Sequence, residues 1–150
     1  MPLSPKSTHE TQGYLCLSKV DFLSACIALV AHDALKETMV EWARENASAL
    51  GQFSVLATGT TGKRLEDDAG LQVTRLLSGP MGGDAQLGAM IAEGRLDALI
   101  FFIDPMTAVP HDVDVKSLLR LAILYETPLA VNRASASAIL SVLTAKEMKT

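Results

Sequence analysis

The sequence predicts an α/β fold, a doubly wound, mainly parallel five-stranded sheet flanked by helices. Three observations lead there. Short apolar runs recur without polar alternation, as strands covered on both faces require. Amphipathic stretches with helical spacing separate them. Small polar or glycine-rich junctions mark the boundaries, and strand and helix alternate five times.

Residues 1–25 hold Pro2 and Pro5, are weakly periodic and read as an N-terminal extension. One domain is expected over 26–150. The first strand is Cys26–Ala31 (CIALVA), and a helix follows over Asp33–Arg44, with Leu35, Met39 and Trp42 on one face. The second strand is Phe53–Thr58, followed by a Gly/Thr turn and a short helix around Lys63–Asp68. A weaker third strand covers Val73–Leu77, and Asp84–Glu93 carries Leu87, Met90 and Ile91 on one helical face. The fourth strand, Ala98–Ile103, is the most apolar. A loop with Pro105 and Pro110 leads to a helix near Val113–Leu124. Leu129–Asn132 reads as the last strand and Ala134–Leu143 as the closing helix.

The chain has 150 residues, 49% hydrophobic, with a net charge of −4. A chain of this size buries about 68–70% of its unfolded surface and needs no disulfide or metal staple. The acidic balance argues against a nucleic-acid binder. Cys16 and Cys26 match neither a disulfide framework nor a zinc motif, which suits a reduced, cytoplasmic protein. The apolar run Phe22–Ala31 has the length of a signal-peptide core. Glu10 and Asp21 stand where basic residues belong, so it reads as a buried strand. No run reaches the ~20 residues of a membrane span.

In a doubly wound sheet, ligands bind beyond the carboxyl ends of the strands, and the unusual residues lie there. Thr58-Gly59-Thr60-Thr61-Gly62 has the glycines and hydroxyls of a phosphate cradle at a helix start, though not a Walker A pattern. An ordinary strand-to-helix turn has the same composition. Ser78-Gly79-Pro80-Met81-Gly82-Gly83-Asp84 lacks the dinucleotide glycine spacing. Its Asp84 suits either a helix N-cap or a general base held by a constrained loop. Lys36 falls in a first helical turn, four residues after His32, where a cation opposes the helix dipole. A bound phosphate offsets that repulsion, and a solvated surface lysine is the plain alternative. His111, in a proline-bounded loop, suits a proton donor to a carbonyl oxygen or an ordinary loop residue. His32, His111 and the nearby aspartates show no paired-ligand spacing, so no metal site is expected.

Taken together, IALVAHDALK, ATGTTG, LSGPMGGD and IFFIDPMTAVPHDVDVKSLLRLA resemble the methylglyoxal synthase family, from about Ile27 to about Ala138. The resemblance implies a five-stranded sheet with flavodoxin-like layering. It also implies a lyase that converts dihydroxyacetone phosphate to methylglyoxal and inorganic phosphate without a metal or organic cofactor. Asp84 matches the family's catalytic base, which forms an enediol, and His111 matches a residue that hydrogen-bonds the substrate oxygens. His32, Lys36, Thr58, Gly59, Thr60, Thr61, Ser78 and Gly79 match substrate-binding positions. Asp33, Asp104 and Asp114 match acidic residues lining the site.

The resemblance further implies a homohexamer, and inorganic phosphate as product and inhibitor. Neither nucleic acid nor membrane is an expected partner. The family's phosphate-binding arginine beyond the last helix has no counterpart after Arg133. The alternative reading is a regulatory module of the same fold that binds a phosphorylated metabolite.

Overall fold

Cys26–Ala31 forms strand β1, and every one of its residues is buried. The computed structural model describes residues 24–107 and 112–149. From β1 the chain passes through a 3₁₀ turn, Asp33–Leu35, into helix α1, Lys36–Glu45. A short helix α2, Ala47–Leu50, precedes β2, Ser54–Thr58, and α3, Gly59–Ala69. β3, Thr74–Leu76, leads through a second 3₁₀ turn, Gly79–Met81, into α4, Gly83–Ala92. The chain continues through β4, Ala98–Phe102, α5, Asp112–Leu124, β5, Leu129–Ala130, and α6, Arg133–Glu147.

All five strands are parallel, in the order β3-β2-β1-β4-β5. The alternation of side chains across a strand explains why both faces need helices. Ile27, Leu29 and Ala31 of β1 point to one face with Ile100 and Phe102 of β4. There they meet Met39, Val40 and Trp42 of α1, Leu65 of α3 and Leu140 of α6. Ala28 and Val30 point to the other face with Leu99 and Phe101. That layer is closed by Leu87, Met90 and Ile91 of α4 and Val115, Leu118 and Ala122 of α5. A strand sandwiched in this way cannot alternate apolar with polar residues, and CIALVA and ALIFF do not.

The strand order reverses direction between β1 and β4, and such a switch point leaves a crevice outside the strand ends. Helices α1, α3 and α4 all start at that edge, within a few residues of the ends of β1, β2 and β3. No helix among the described residues is long and apolar enough to cross a membrane.

The structure moves several expected boundaries. The Gly/Thr segment is not a free turn: α3 begins at Gly59, with Thr58 in extended backbone ahead of it. α2 was not foreseen, because four residues are too few to show a period. β5 stops at Ala130, and Asn132 instead caps α6, its Oδ1 accepting the Ser135 backbone N–H at 3.0 Å.

Candidate active site at the β1–β4 switch point

A cavity of about 510 Å³ opens at the carboxyl edge of the sheet. Its walls include His32 after β1, Thr58 at the end of β2, Ser78 after β3 and Asp104 after β4. Lys36, Thr60, Thr61, Gly79, Asp84 and Asp33 also line it. Gly59 does not: it lies behind the wall, where a Cβ would meet the Ser78 backbone nitrogen at 3.1 Å. Asp114 faces a neighbouring cavity that shares Gly79, Pro80 and Asp84 with the first. His111 lies outside the described residues.

Asp84 is 8% exposed and sits in the first turn of α4, where the helix dipole favours a negative charge. The alternative that Asp84 caps the helix does not hold, because the cap position belongs to Gly82 at φ +116°. That left-handed conformation is open to glycine and costly for a residue with a Cβ. Gly83 permits a closer approach still. A Cβ there would lie 2.1 Å from the Leu77 carbonyl oxygen, so the loop and α4 touch backbone to backbone. Gly79 lies against the carboxylate itself, its Cβ position 3.4 Å from Asp84 Oδ1.

The cationic side of the cavity is built around Lys36. Its ammonium donates to Asp33 Oδ1 at 2.5 Å and to Thr60 Oγ1 at 2.6 Å. The side chain is 18% exposed, against 95% for Asp33, so Lys36 is not a solvated surface lysine. The bond to Thr60 ties the start of α1 to the start of α3. Around that bridge stand the hydroxyls of Thr58 and Thr61, both buried, and that of Ser78. Three helix N-termini and one ammonium thus converge on a hydroxyl-lined space, an arrangement suited to a phosphate.

His32 is 8% exposed, and its Nδ1 accepts the Asp104 backbone N–H at 3.0 Å. An imidazole that accepts at Nδ1 is the neutral tautomer with its proton at Nε2. Phe101 meets the ring edge-on at a centroid distance of 5.1 Å and holds its orientation. Asp104 accepts the Met106 backbone N–H at 2.9 Å. That bond, with a second from Thr107, keeps its carboxyl below the usual carboxylate range.

Sequence reasoning missed Phe101 and Thr107. Phe101 is indistinguishable from core in an apolar run. Thr107 had a faint signal, a hydroxyl three residues after an aspartate at a strand end, the composition of a side-chain-closed turn.

Comparison with known proteins agrees with this architecture. The profile of the MGS-like domain family matches residues 38–131. A methylglyoxal synthase from Rhizobium rhizogenes is 57% identical over 119 residues, covering 79% of this chain and 94% of that protein. One from Proteus mirabilis is 56% identical over 115 residues, covering 77% of this chain and 76% of that protein. The crystal structure of methylglyoxal synthase from Elizabethkingia anophelis is similar at a TM-score of 0.75 and 51% identity, over 79% of this chain and 78% of that one.

Proposed function

The chain belongs to the methylglyoxal synthase family, and from that membership we propose that it is a carbon–oxygen lyase converting dihydroxyacetone phosphate to methylglyoxal and inorganic phosphate. The observation that carries the reading is one cavity with a carboxylate, Asp84, on one wall and a cationic, hydroxyl-lined cradle around Lys36 on another.

The chemistry divides between those walls. The phosphate rests among the N-terminus of α3, Lys36 and the hydroxyls of Thr58, Thr60, Thr61 and Ser78. Asp84 removes a proton from the hydroxymethyl carbon, and the electron pair moves to the carbonyl oxygen as an enediolate. A ketone α-proton is weakly acidic, so that oxygen needs a donor at the same moment. The Nε2–H of neutral His32 supplies one, and His111 is assigned a second donor role by family resemblance. The enediolate then expels phosphate as its C–O bond breaks, leaving the enol of methylglyoxal, which tautomerises. Expulsion requires the C–O bond to stand out of the enediol plane, so the cradle must hold the phosphate off that plane.

Purified protein incubated with dihydroxyacetone phosphate is expected to release methylglyoxal and phosphate in equal amounts. Absence of both above background overturns the reading. Asp84→Asn is expected to lower turnover by at least ~10²-fold while binding of a phosphorylated analogue persists. Near-parental turnover in that variant removes Asp84 from the base role.

A further inference from the structure

We propose that Gln86 is a positioning residue that sets the distance between the Asp84 carboxylate and the phosphate cradle by clamping the backbone of Leu77. The proposal deepens the lyase reading and rests on it.

β3 ends at Leu76, paired with Thr58, and the ladder to β2 stops there. The next N–H, that of Leu77, has no ladder partner and donates to Gln86 Oε1 at 2.9 Å. Gln86 stands two residues beyond Asp84 in α4, half-buried, its own N–H on the Gly82 carbonyl. The Leu77 carbonyl faces the other way and takes a long bond, 3.4 Å, from the N–H of Gly59, the first residue of α3. It also presses on Gly83. Leu77 therefore touches α4 on either side of Asp84 and touches the helix start that builds the cradle.

Side-chain capping does not supply this restraint. Gly82 offers no side chain, and the N-terminus of α4 has no side-chain cap. The Gly59 bond is too long to fix the loop alone. The Gly83 N–H donates to the Ser78 carbonyl at 2.9 Å and ties α4 to the loop, and the Gln86 amide is the side-chain bond that extends this tie to the strand end at Leu77.

Relative placement decides the fate of the enediolate. It either expels phosphate or takes a proton back and returns to substrate. A shift near 1 Å costs about 10²-fold in a well-oriented step. Loosening the clamp lets the phosphate drift toward the enediol plane, so more enediolate returns per phosphate released. In deuterium oxide a return that follows exchange of the Asp84 proton with solvent leaves deuterium in recovered substrate.

The experiment measures deuterium in recovered dihydroxyacetone phosphate against phosphate released, for the parent, Gln86→Met and Gln86→Glu. Gln86→Met keeps length and removes the acceptor, and its deuterium-to-phosphate ratio is expected to rise by about tenfold, with kcat falling by 10- to 100-fold and KM changing little. Gln86→Glu keeps the acceptor and is expected to hold the parental ratio. A folded Gln86→Met with the parental ratio overturns the proposal, as does a Gln86→Glu ratio displaced as far as that of Gln86→Met. Where Gln86→Met fails to fold, Gln86→Asn, its acceptor withdrawn by one methylene, carries the same expectation. A parent that neither exchanges deuterium nor releases phosphate overturns the lyase reading and this proposal together; an active parent with unmoved variants overturns this proposal alone.

Discussion

Gly83→Ala sets two effects of opposite sign against each other at the most crowded point of the glycine loop. Gly83 is the first residue of α4, and alanine in a helix is ordinarily favoured over glycine by roughly 0.5–1 kcal/mol. Here the new Cβ would lie 2.1 Å from the Leu77 oxygen and 3.1 Å from the carbonyl carbons of Leu77 and Ser78. An ordinary C···O contact is no shorter than about 3.3 Å, so the overlap is near 1.2 Å, and every atom met is backbone. No side chain can swing away, and the loop must move by about that overlap. Overpacking of this kind costs about 1–3 kcal/mol, which set against the propensity gain leaves a net loss of up to about 2.5 kcal/mol. For a chain of this length that lowers Tm by up to about 10 °C. The loop carries the start of the Asp84 turn, so a shift near 1 Å is expected to cost about 10²-fold in turnover at 25 °C, far below Tm. Gly94→Ala is the control. Gly94, unlike Gly83, has a positive φ, +70°, with open space around it, and it lies beyond the opposite end of α4. It is expected to lose about 1–2 kcal/mol and no activity. Thermal unfolding and methylglyoxal release on the two variants decide the matter: Gly83→Ala with parental Tm and parental turnover refutes the backbone contact on which the reasoning stands.

Lys36→Met is expected to raise KM for dihydroxyacetone phosphate by about 10- to 100-fold, the worth of a hydrogen bond to a charged group. Tm should hold or rise, since a cation is removed from a helix start; a KM within twofold of the parent sinks the cradle assignment. Cys26 is 2% exposed, and burial, reinforced by Asp97, pushes its thiol up to about 12. The folded chain therefore holds the proton more tightly than the unfolded one. The stabilisation is complete below pH 9.0, the ordinary value for a thiol, and is lost between pH 9.0 and about 12, at up to ~1.4 kcal/mol per pH unit relative to Cys26→Ala. Mass mapping after thiol labelling at pH 8 should find Cys26 unmodified until the chain unfolds; labelling of Cys26 in the native chain contradicts its burial. Asn132→Ala should lower stability by about 0.5–2 kcal/mol through loss of the α6 cap, with turnover unchanged; an unaltered denaturation midpoint rules the cap out as a contributor.

The ends of the elements show which signals a sequence carries. Strand β1 is legible because CIALVA is covered on both faces and ends at the polar pair His32 and Asp33. α3 was placed too late. Glycine and threonine are poor helix formers, and what holds Gly59 in a helix is the close approach of Ser78 from another strand end. The crowding of His32, Thr58, Thr60, Thr61, Ser78 and Asp104 at one edge followed from the strand-end rule alone, since those residues come right after apolar runs. Gln86 was illegible for the opposite reason. A polar residue on a helix face reads as surface, and its partner is a backbone N–H nine positions earlier that only the tertiary fold brings near. Asp84 lay between these cases. Its loop singled it out, and only the left-handed Gly82 shows that the cap position belongs to another residue.

The net charge of −4 and an anion site are compatible because they act over different ranges. Surface charges are screened within about 8–10 Å at physiological salt, whereas dipoles and ammonium groups inside a recess act over one contact distance. Each helix N-terminus contributes roughly half a positive charge, so α1, α3 and α4 together bring about 1.5, and Lys36 adds one that its exposed partner Asp33 partly offsets. Asp84 and Asp104 stand in the same recess and would repel a phosphate placed among them. Asp84 and Asp104 lie at the ends of β3 and β4, while after β1 and β2 stand Lys36, ion-paired with the exposed Asp33, and Thr60. A molecule with one dianionic end and one neutral carbonyl end fits this gradient in a single orientation, phosphate toward Lys36 and reacting carbon toward Asp84. In the reaction proposed above, the polarity of the cavity, set by which strand each loop follows, would orient the substrate before any catalytic group acts.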